Sequence, residues 1–428
     1  MFAHVIEKFQ QIIAHTELRN KFLFTAAVFF VFRLLAHVPV PGVDAAQLQQ
    51  IFDSSQFLNF LNIIAGGTLA NFSVVAVGIG PYITASIILQ LSGMVFPKLK
   101  EMQKDGEAGQ AKVTQITRLL SVPLAVFQSI SILTLLRSQN LISSFDPLTL
   151  GAMILALVAG SMVMMWLGEL VTEFGIGNGI SILLLGGIVS QFPLLFAQLL
   201  TGVTAERTLT IATFTVVFLL VIALVVFINE AVRKVQMQYA KRIRGGREYG
   251  GRSTHLPVRV NIAGVMPLIF AVTLLLLPSF AARFLVTMSN PMLVQLGTNL
   301  TIWFSQTSPV YMVVYFLLVF GFSFFSALLF FNTEEISEEL KKSGAFIPGI
   351  RPGRPTQKYL EFVITRITLV GASFLGIIAI LPSFAQLFTG VQNLAVGGTS
   401  LLIVVSVIIE TSKQVESMLV GQNYERYS

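Results

Sequence analysis

Ten apolar runs divide this chain, at residues 22–38, 74–96, 116–136, 150–171, 179–200, 209–228, 260–280, 310–331, 367–387 and 394–409. A helix rises 1.5 Å per residue, so about 20 apolar residues cover the roughly 30 Å of a bilayer's hydrocarbon. The runs therefore predict ten membrane-crossing helices. Composition agrees: 11% of residues are charged, against roughly 25% in soluble domains. The longest polar stretches, 229–259 and 332–366, are each too short to bury a core of their own. Residues 1–21 form a polar amphipathic segment with no small-residue cleavage site, so the first span is expected to stay in the mature chain. The chain has no cysteine, which leaves no disulfide, thiolate metal site or thiol nucleophile.

Lys and Arg gather before span 1, after span 2, after span 6, after span 8 and in the tail; Arg137, Arg207, Arg283 and the in-span Arg33 are the exceptions. By the positive-inside rule both termini are cytoplasmic. The sequence then divides into a cytoplasmic segment 1–21, a first five-span half 22–201, a connecting loop 202–208, a second half 209–411 and a tail 412–428. Pumps and ion-coupled carriers place ionisable groups near the bilayer centre, where each costs about 2.5–3.5 kcal/mol. Spans 5 to 10 hold none. Arg33, Arg118 and Glu169 lie near span ends and read as snorkelling to the interface. No paired aspartates and no His-Glu-x-x-His run are present, which argues against hydrolytic, metal or acid/base chemistry. An inverted-repeat carrier for a small solute, which needs a polar midplane site, fits less well than a passive conduit.

Between spans 1 and 2 lies 57–72, uncharged and interrupted by Gly66-Gly67 and three asparagines. It is either an amphipathic helix on the outer surface or a half-helix folded back into the protein interior. Span 2 (Gly78-Ile79-Gly80-Pro81-Tyr82-Ile83) and span 7 (Gly264-Val265-Met266-Pro267-Leu268-Ile269) share a Gly-x-x-Pro-x-Ile frame. Spans 5 and 10 share Gly-x-Ser-apolar-Leu-apolar, at Gly179–Leu184 and Gly398–Ile403. The pairing 2 with 7 and 5 with 10 is what two five-span halves of opposite topology require. Aliphatic side chains at the matched positions either pack or face lipid, or meet in a constriction that excludes water and ions by dewetting.

The longest motifs resemble one family. They are Pro39-Val40-Pro41-Gly42, Gly80-Pro81-Tyr82-Ile83-Thr84-Ala85-Ser86, Gly175-Ile176-Gly177-Asn178-Gly179-Ile180-Ser181, Asn261-Ile262-Ala263-Gly264-Val265-Met266-Pro267, Phe346-Ile347-Pro348-Gly349-Ile350-Arg351-Pro352-Gly353 and Gly397-Gly398-Thr399-Ser400-Leu401-Leu402-Ile403. In this order, from about Arg19 to Tyr424, they resemble the SecY family, the channel subunit of the bacterial Sec protein translocon. The resemblance implies an all-α membrane protein: ten transmembrane helices in two inverted five-helix halves around an hourglass pore, with a short re-entrant plug helix.

Carried over by motif position, the pore ring would be Ile79, Ile83, Ile180, Leu184, Ile269 and Ile403. The plug would be 57–72, with Phe57, Leu61, Ile64, Gly66, Gly67, Leu69 and Asn71. Spans 2 and 3 against 7 and 8 would form a lateral gate carrying Gln128 and Asn261, although each amide equally suits a hydrogen bond to a neighbouring helix. The basic loops after spans 6 and 8 read on charge alone as solvated or drawn to anionic lipid. The resemblance implies docking of the ribosome, through rRNA phosphates, and of the motor SecA, at Lys241, Arg242, Arg244, Arg247 and Arg351. It also implies SecE and SecG as companion subunits, signal-bearing polypeptides as substrates, membrane lipids as surroundings, and the bacterial plasma membrane as location. No Gly-rich nucleotide loop with Lys is present, so no cofactor is expected and a partner supplies the energy.

Overall fold

The computed structural model describes residues 15–41, 62, 65–138, 146–193, 205–239, 242–244, 247–249, 253–262, 264–286, 288, 290–389 and 394–425. Among them run α1 (Thr16–Ala36), α2 (Gly80–Val95), α3 (Pro97–Lys104), α4 (Gly106–Ser138), α5 (Pro147–Phe174), α6 (Gly179–Val189) and α7 (Ala205–Glu230). Four strands follow, β1 (Val232–Tyr239), β2 (Arg242–Arg244), β3 (Arg247–Tyr249) and β4 (Ser253–Arg259). The remainder is α8 (Met266–Val286), α9 (Pro291–Trp303), α10 (Pro309–Phe330), α11 (Thr333–Lys342), β5 (Ala345–Phe346), α12 (Arg354–Thr389) and α13 (Leu394–Glu425). Each of the ten predicted spans has its helix. Among the described residues, four helical stretches, Ala108–Thr134, Pro147–Phe174, Pro309–Lys342 and Arg354–Leu387, are long and apolar enough by length and composition to cross a membrane.

Local chemistry fixes the helix starts. Proline occupies the first turn of α2, α3, α5, α9 and α10, where a missing N–H costs nothing. Side chains cap α6, α9, α10 and α11: Asn178 accepts from Ser181 N, Asn290 from Met292 N, Ser308 from Val310 N and Asn332 from Glu335 N. Helix α6 is shorter than its predicted span: it stops at Val189, where Ser190 bonds back to the Gly187 carbonyl and Pro193 follows. Helices α12 and α13 are longer than predicted at the strand-bearing end, because Arg354–Arg366 and Glu410–Glu425 continue the helix with polar residues.

The helices pack in two groups. In one, α2 lies on α4, α4 on α5, and α5 on α6 and α1; in the other, α8 lies on α10, α10 on α12, α12 on α13, and α7 on α12 and α13. The groups meet along two seams. Helix α8 crosses to α2 and α4 on one side, and α13 touches α6 on the other. One apolar core joins both groups across these seams.

The polar stretches do something neither could do alone. Strand β1 pairs antiparallel with β4 (Val235 opposite Leu256) and with β5 from the later stretch (Gln238 opposite Phe346), giving the order β4-β1-β5. Val235, Met237 and Val258 from the sheet then bury against Ile347, Leu360 and Ile364. Neither stretch buries a core of its own; pooled with the first turns of α12, the two build one.

Candidate functional site

Where the two helix groups meet, a cavity of about 100 Å³ is lined by Ile79, Ile83, Leu184, Ile269 and Ile403, together with Leu183, Ile188, Val272 and Leu276. Five of the six predicted ring positions come together here, contributed by α2 and the residue before it, α6, α8 and α13. Ile180 does not line the cavity. It sits in the first turn of α6, and its Cγ1 lies 3.2 Å from where a Cβ on Gly168 of α5 would stand; Leu183 and Leu184, a turn further along, reach the cavity instead. Gln128 and Thr273 are the lining residues with hydrogen-bonding side chains.

The segment before α2 closes one side of this cavity. Residues 65–79 run as successive turns rather than as a regular helix, and Ala65, Leu69, Ala76 and Val77 face the cavity. Several contacts seat the segment. Gly67 N donates to Asn62 O and Ala70 N to Asn62 Oδ1. Val40 N donates to Phe72 O and Val74 N to Val38 O, so the Pro-Val-Pro-Gly motif forms a bridge with the segment at Pro39 and Ser73. Ser161 Oγ donates to Gly78 O at 2.9 Å. Gly66, at φ +75°, packs so closely on α6 that a Cβ there would stand 2.6 Å from Gly187 Cα. Phe72 is buried at φ 42°, a backbone conformation that costs a bulky residue about 1–3 kcal/mol and persists only under outside constraint. Of the predicted plug positions, Gly66, Gly67, Leu69 and Asn71 are placed here; Phe57, Leu61 and Ile64 lie outside the described residues.

Arg33 has partners within the protein: its Nη1 donates to Gly66 O at 3.2 Å, and its guanidinium stands over the Phe32 ring. Arg118 and Glu169 likewise turn to each other. Their double contact, Nε–Oε1 at 2.9 Å and Nη2–Oε2 at 2.8 Å, ties α4 to α5, and bidentate geometry of this kind suits Arg. In each case the sequence shows a charge near a span end but not which way it points.

Gln128 and Asn261 are not neighbours. Gln128 on α4 faces the cavity across from Gly80, where an added Cβ would meet its Oε1 at 3.2 Å. Asn261 sits in the turn between β4 and α8, and its Nδ2 donates to Asn229 Oδ1 at 2.8 Å and to Gly264 O at 3.0 Å. A network that sequence reading missed extends from it. Lys413 of α13 donates to Asn229 O at 2.8 Å and pairs with Glu230 at 2.9 Å. Glu410, three residues earlier, accepts from Val265 N; desolvation still raises its carboxyl above the usual range, opposed by that N–H and by Arg259. Both roots of the β1–β4 hairpin are thereby bonded to the helix that carries Ile403.

In the hairpin, β2 pairs with β3 so that Arg244 stands opposite Arg247 and Arg242 opposite Tyr249. These arginines are described in their backbone only, and Lys241 lies outside the described residues. Arg351 is exposed on a tight turn between Gly349 (φ 82°) and Gly353 (φ 102°), held by Thr356 Oγ1 donating to Arg351 O at 2.9 Å and Ser337 Oγ to Gly353 O at 2.8 Å.

Apolar helices in two groups, meeting over an aliphatic waist with a non-helical segment seated beside it, define a polytopic membrane channel. The SecY family profile matches residues 73–412. A protein translocase subunit SecY of Streptomyces galbus is 44% identical, covering 96% of this chain and 97% of the relative; one from Mycobacterium bovis is 40% identical over the same shares. The chain belongs to the SecY family. Among solved structures, a protein-conducting channel superposes with a TM-score of 0.67 at 20% identity, covering 93% of this chain and 92% of the other. The canine Sec61 channel, determined in a ribosome complex, gives 0.62 at 19% identity, with the same coverage. These likenesses show the fold.

Proposed function

We propose that this chain is the protein-conducting channel of a bacterial plasma membrane. It passes unfolded secretory polypeptides across and releases transmembrane segments sideways into lipid. The observation that carries the reading is the waist: aliphatic side chains from four separate helices converge on one small cavity between the two helix groups. Such a collar excludes ions without binding any particular sequence, which is what a conduit for many polypeptides requires.

The other parts take their roles around that waist. Residues 57–72 are the plug, and the turns at 65–72 are its seated part. The seam of α8 against α2 and α4 is the lateral gate, with Gln128 on its inner wall. Asn261 belongs to the root of the docking hairpin. Both termini and the β4-β1-β5 sheet are cytoplasmic, as the Lys and Arg distribution requires. Like charges opposite one another on strands are destabilising unless something offsets them; Arg244 and Arg247 at the hairpin tip, with Arg351 on its turn, suit rRNA phosphates and the motor SecA. SecE and SecG are the companion subunits.

Because the chain has no cysteine, a single one at Ile83 or Ile403 is a clean reporter. A stalled secretory precursor should crosslink to both. Failure at both sites, in channels that still support export, would overturn the waist assignment.

A further inference from the structure

We propose that α9 (Pro291–Trp303) is a membrane-seated helix lying in the outer leaflet's interface, where its exposed apolar stripe contacts the upper acyl chains and glycerol zone of zwitterionic lipid. Its 13 residues span about 20 Å, too short to cross the hydrocarbon. One face is committed to the protein. Gly297 packs onto α8 so closely that a Cβ would stand 2.7 Å from the Ala282 carbonyl oxygen and 2.9 Å from Val286 Cγ2.

The remaining surface is divided. Met292, Leu296 and Trp303 fall within about 40° of arc at 3.6 residues per turn, and they are 70%, 47% and 52% exposed. Gln295 and Thr298 are exposed to one side of that stripe, roughly 80° and 140° from its centre; exposed Asn299 borders the stripe, and Ile302, 66% exposed, stands between Gln295 and Thr298. An interfacial helix has this division, an apolar stripe beside a polar one.

Three further observations select lipid over water or a second protein. No Asp, Glu, Lys or Arg occurs from Phe284 to Thr333, whereas a loop standing in water would carry them. The helices that α9 contacts expose apolar side chains as well, Val286 at the end of α8 and Val310, Val313 and Leu317 on α10. Trp303 terminates the helix, and tryptophan prefers the headgroup level. With no charge to offer, the seat uses apolar burial alone and is insensitive to salt and to anionic lipid.

The chain's two tryptophans, Trp166 and Trp303, make the test direct. In Trp166→Phe channels reconstituted into phosphatidylcholine vesicles, Trp303 emission should be quenched at least twofold more by lipid brominated at carbons 6 and 7 than at 11 and 12. It should be poorly quenched by aqueous acrylamide, with no change between low and high salt. Strong acrylamide quenching with none from brominated lipid would overturn the proposal, as would shielding that appears only when companion subunits are added. Single cysteines give a second reading that spares Trp166. An impermeant maleimide should label Gln295→Cys and Thr298→Cys at least fivefold faster than Met292→Cys and Leu296→Cys in vesicles, and the four rates should converge in detergent-free denaturant. Equal rates in vesicles would refute the seat.

Discussion

Gly66→Ala tests whether the seated segment seals the channel. Gly66 holds φ +75°, where an alanine costs about 1–2 kcal/mol relative to the right-handed region. The added Cβ would stand 2.6 Å from Gly187 Cα and 3.3 Å from Phe32 Cζ, while carbon atoms sit comfortably at about 3.5–4.0 Å. The segment and α6 must therefore part by roughly 1 Å, which also draws the Gly66 carbonyl from Arg33. A hydrogen bond to a charged group is worth about 1.5–3 kcal/mol. All of these losses fall on the seated state, since a displaced segment is free to relax its backbone. Taking about 1 kcal/mol from the dihedral alone and about 3 kcal/mol with the contacts included, the unseated fraction rises roughly 5- to 150-fold. The assay is resting ion conductance per channel in planar bilayers, in the absence of any precursor. Gly187→Ala approaches the same contact from helical backbone, with a Cβ 3.1 Å from Gly66 Cα, and should leak by a smaller factor. Gly106→Ala is the control: it has φ +66° but nothing within 4 Å, so it suffers the dihedral cost far from the waist and should not leak. Conductance of Gly66→Ala equal to that of Gly106→Ala would refute the reasoning.

Removing 57–72 altogether should leave precursor export possible while raising resting conductance above that of Gly66→Ala; unchanged conductance would argue that the aliphatic collar seals alone. Arg351→Glu reverses the charge on an exposed turn whose backbone is held by Thr356 and Ser337, so channel insertion and thermal stability should hold while motor-driven export falls at least tenfold. Asn261→Ala strips partners from Asn229 Oδ1 and Gly264 O and should destabilise by about 1–3 kcal/mol, seen as a lower unfolding temperature in detergent. Gln128→Leu, facing a largely aliphatic cavity, should be neutral or stabilising in the same assay.

The membrane fold was legible because its signal is compositional: apolar length predicts a span whatever its neighbours are, and each of the ten runs became a helix. Five of the six positions that the resemblance implies for a ring lie together on the cavity, where i, i+4 spacing and repeated Gly-x-x-Pro-x-Ile frames place aliphatic residues without saying what they face. Ile180 shares a helix face with Leu184 but stands about 6 Å from it along α6, and only the turn at Leu183 and Leu184 reaches the cavity, a height that spacing does not give. The partners of Arg33, Arg118 and Lys413 were illegible for a different reason. Arg33 and Gly66 lie 33 residues apart, Arg118 and Glu169 51, Lys413 and Asn229 184, and no periodicity links such pairs. The three-stranded sheet was hidden the same way, because β5 reaches β1 from beyond four intervening helices.

Closure of the waist needs no ligand. Ile79, Ile83, Ile269 and Ile403 are buried to within a few per cent of completely, and exposing such a side chain to water costs about 1.5–3 kcal/mol. A water molecule needs two to four polar partners to occupy a cavity comfortably, and this one offers Gln128 and Thr273. A watery open waist is therefore the unfavourable state, and a translocating polypeptide relieves that cost by covering the collar while it passes. When the chain has left, the same aliphatic area drives the helices back together. On the docking role proposed for the hairpin, the bonds from its roots to α13, through Asn229, Glu230 and Lys413, would give a partner a mechanical route to Ile403. A partner that displaced the hairpin would pull on one member of the collar, and it would have to supply only part of the separation energy, because the substrate covers the rest.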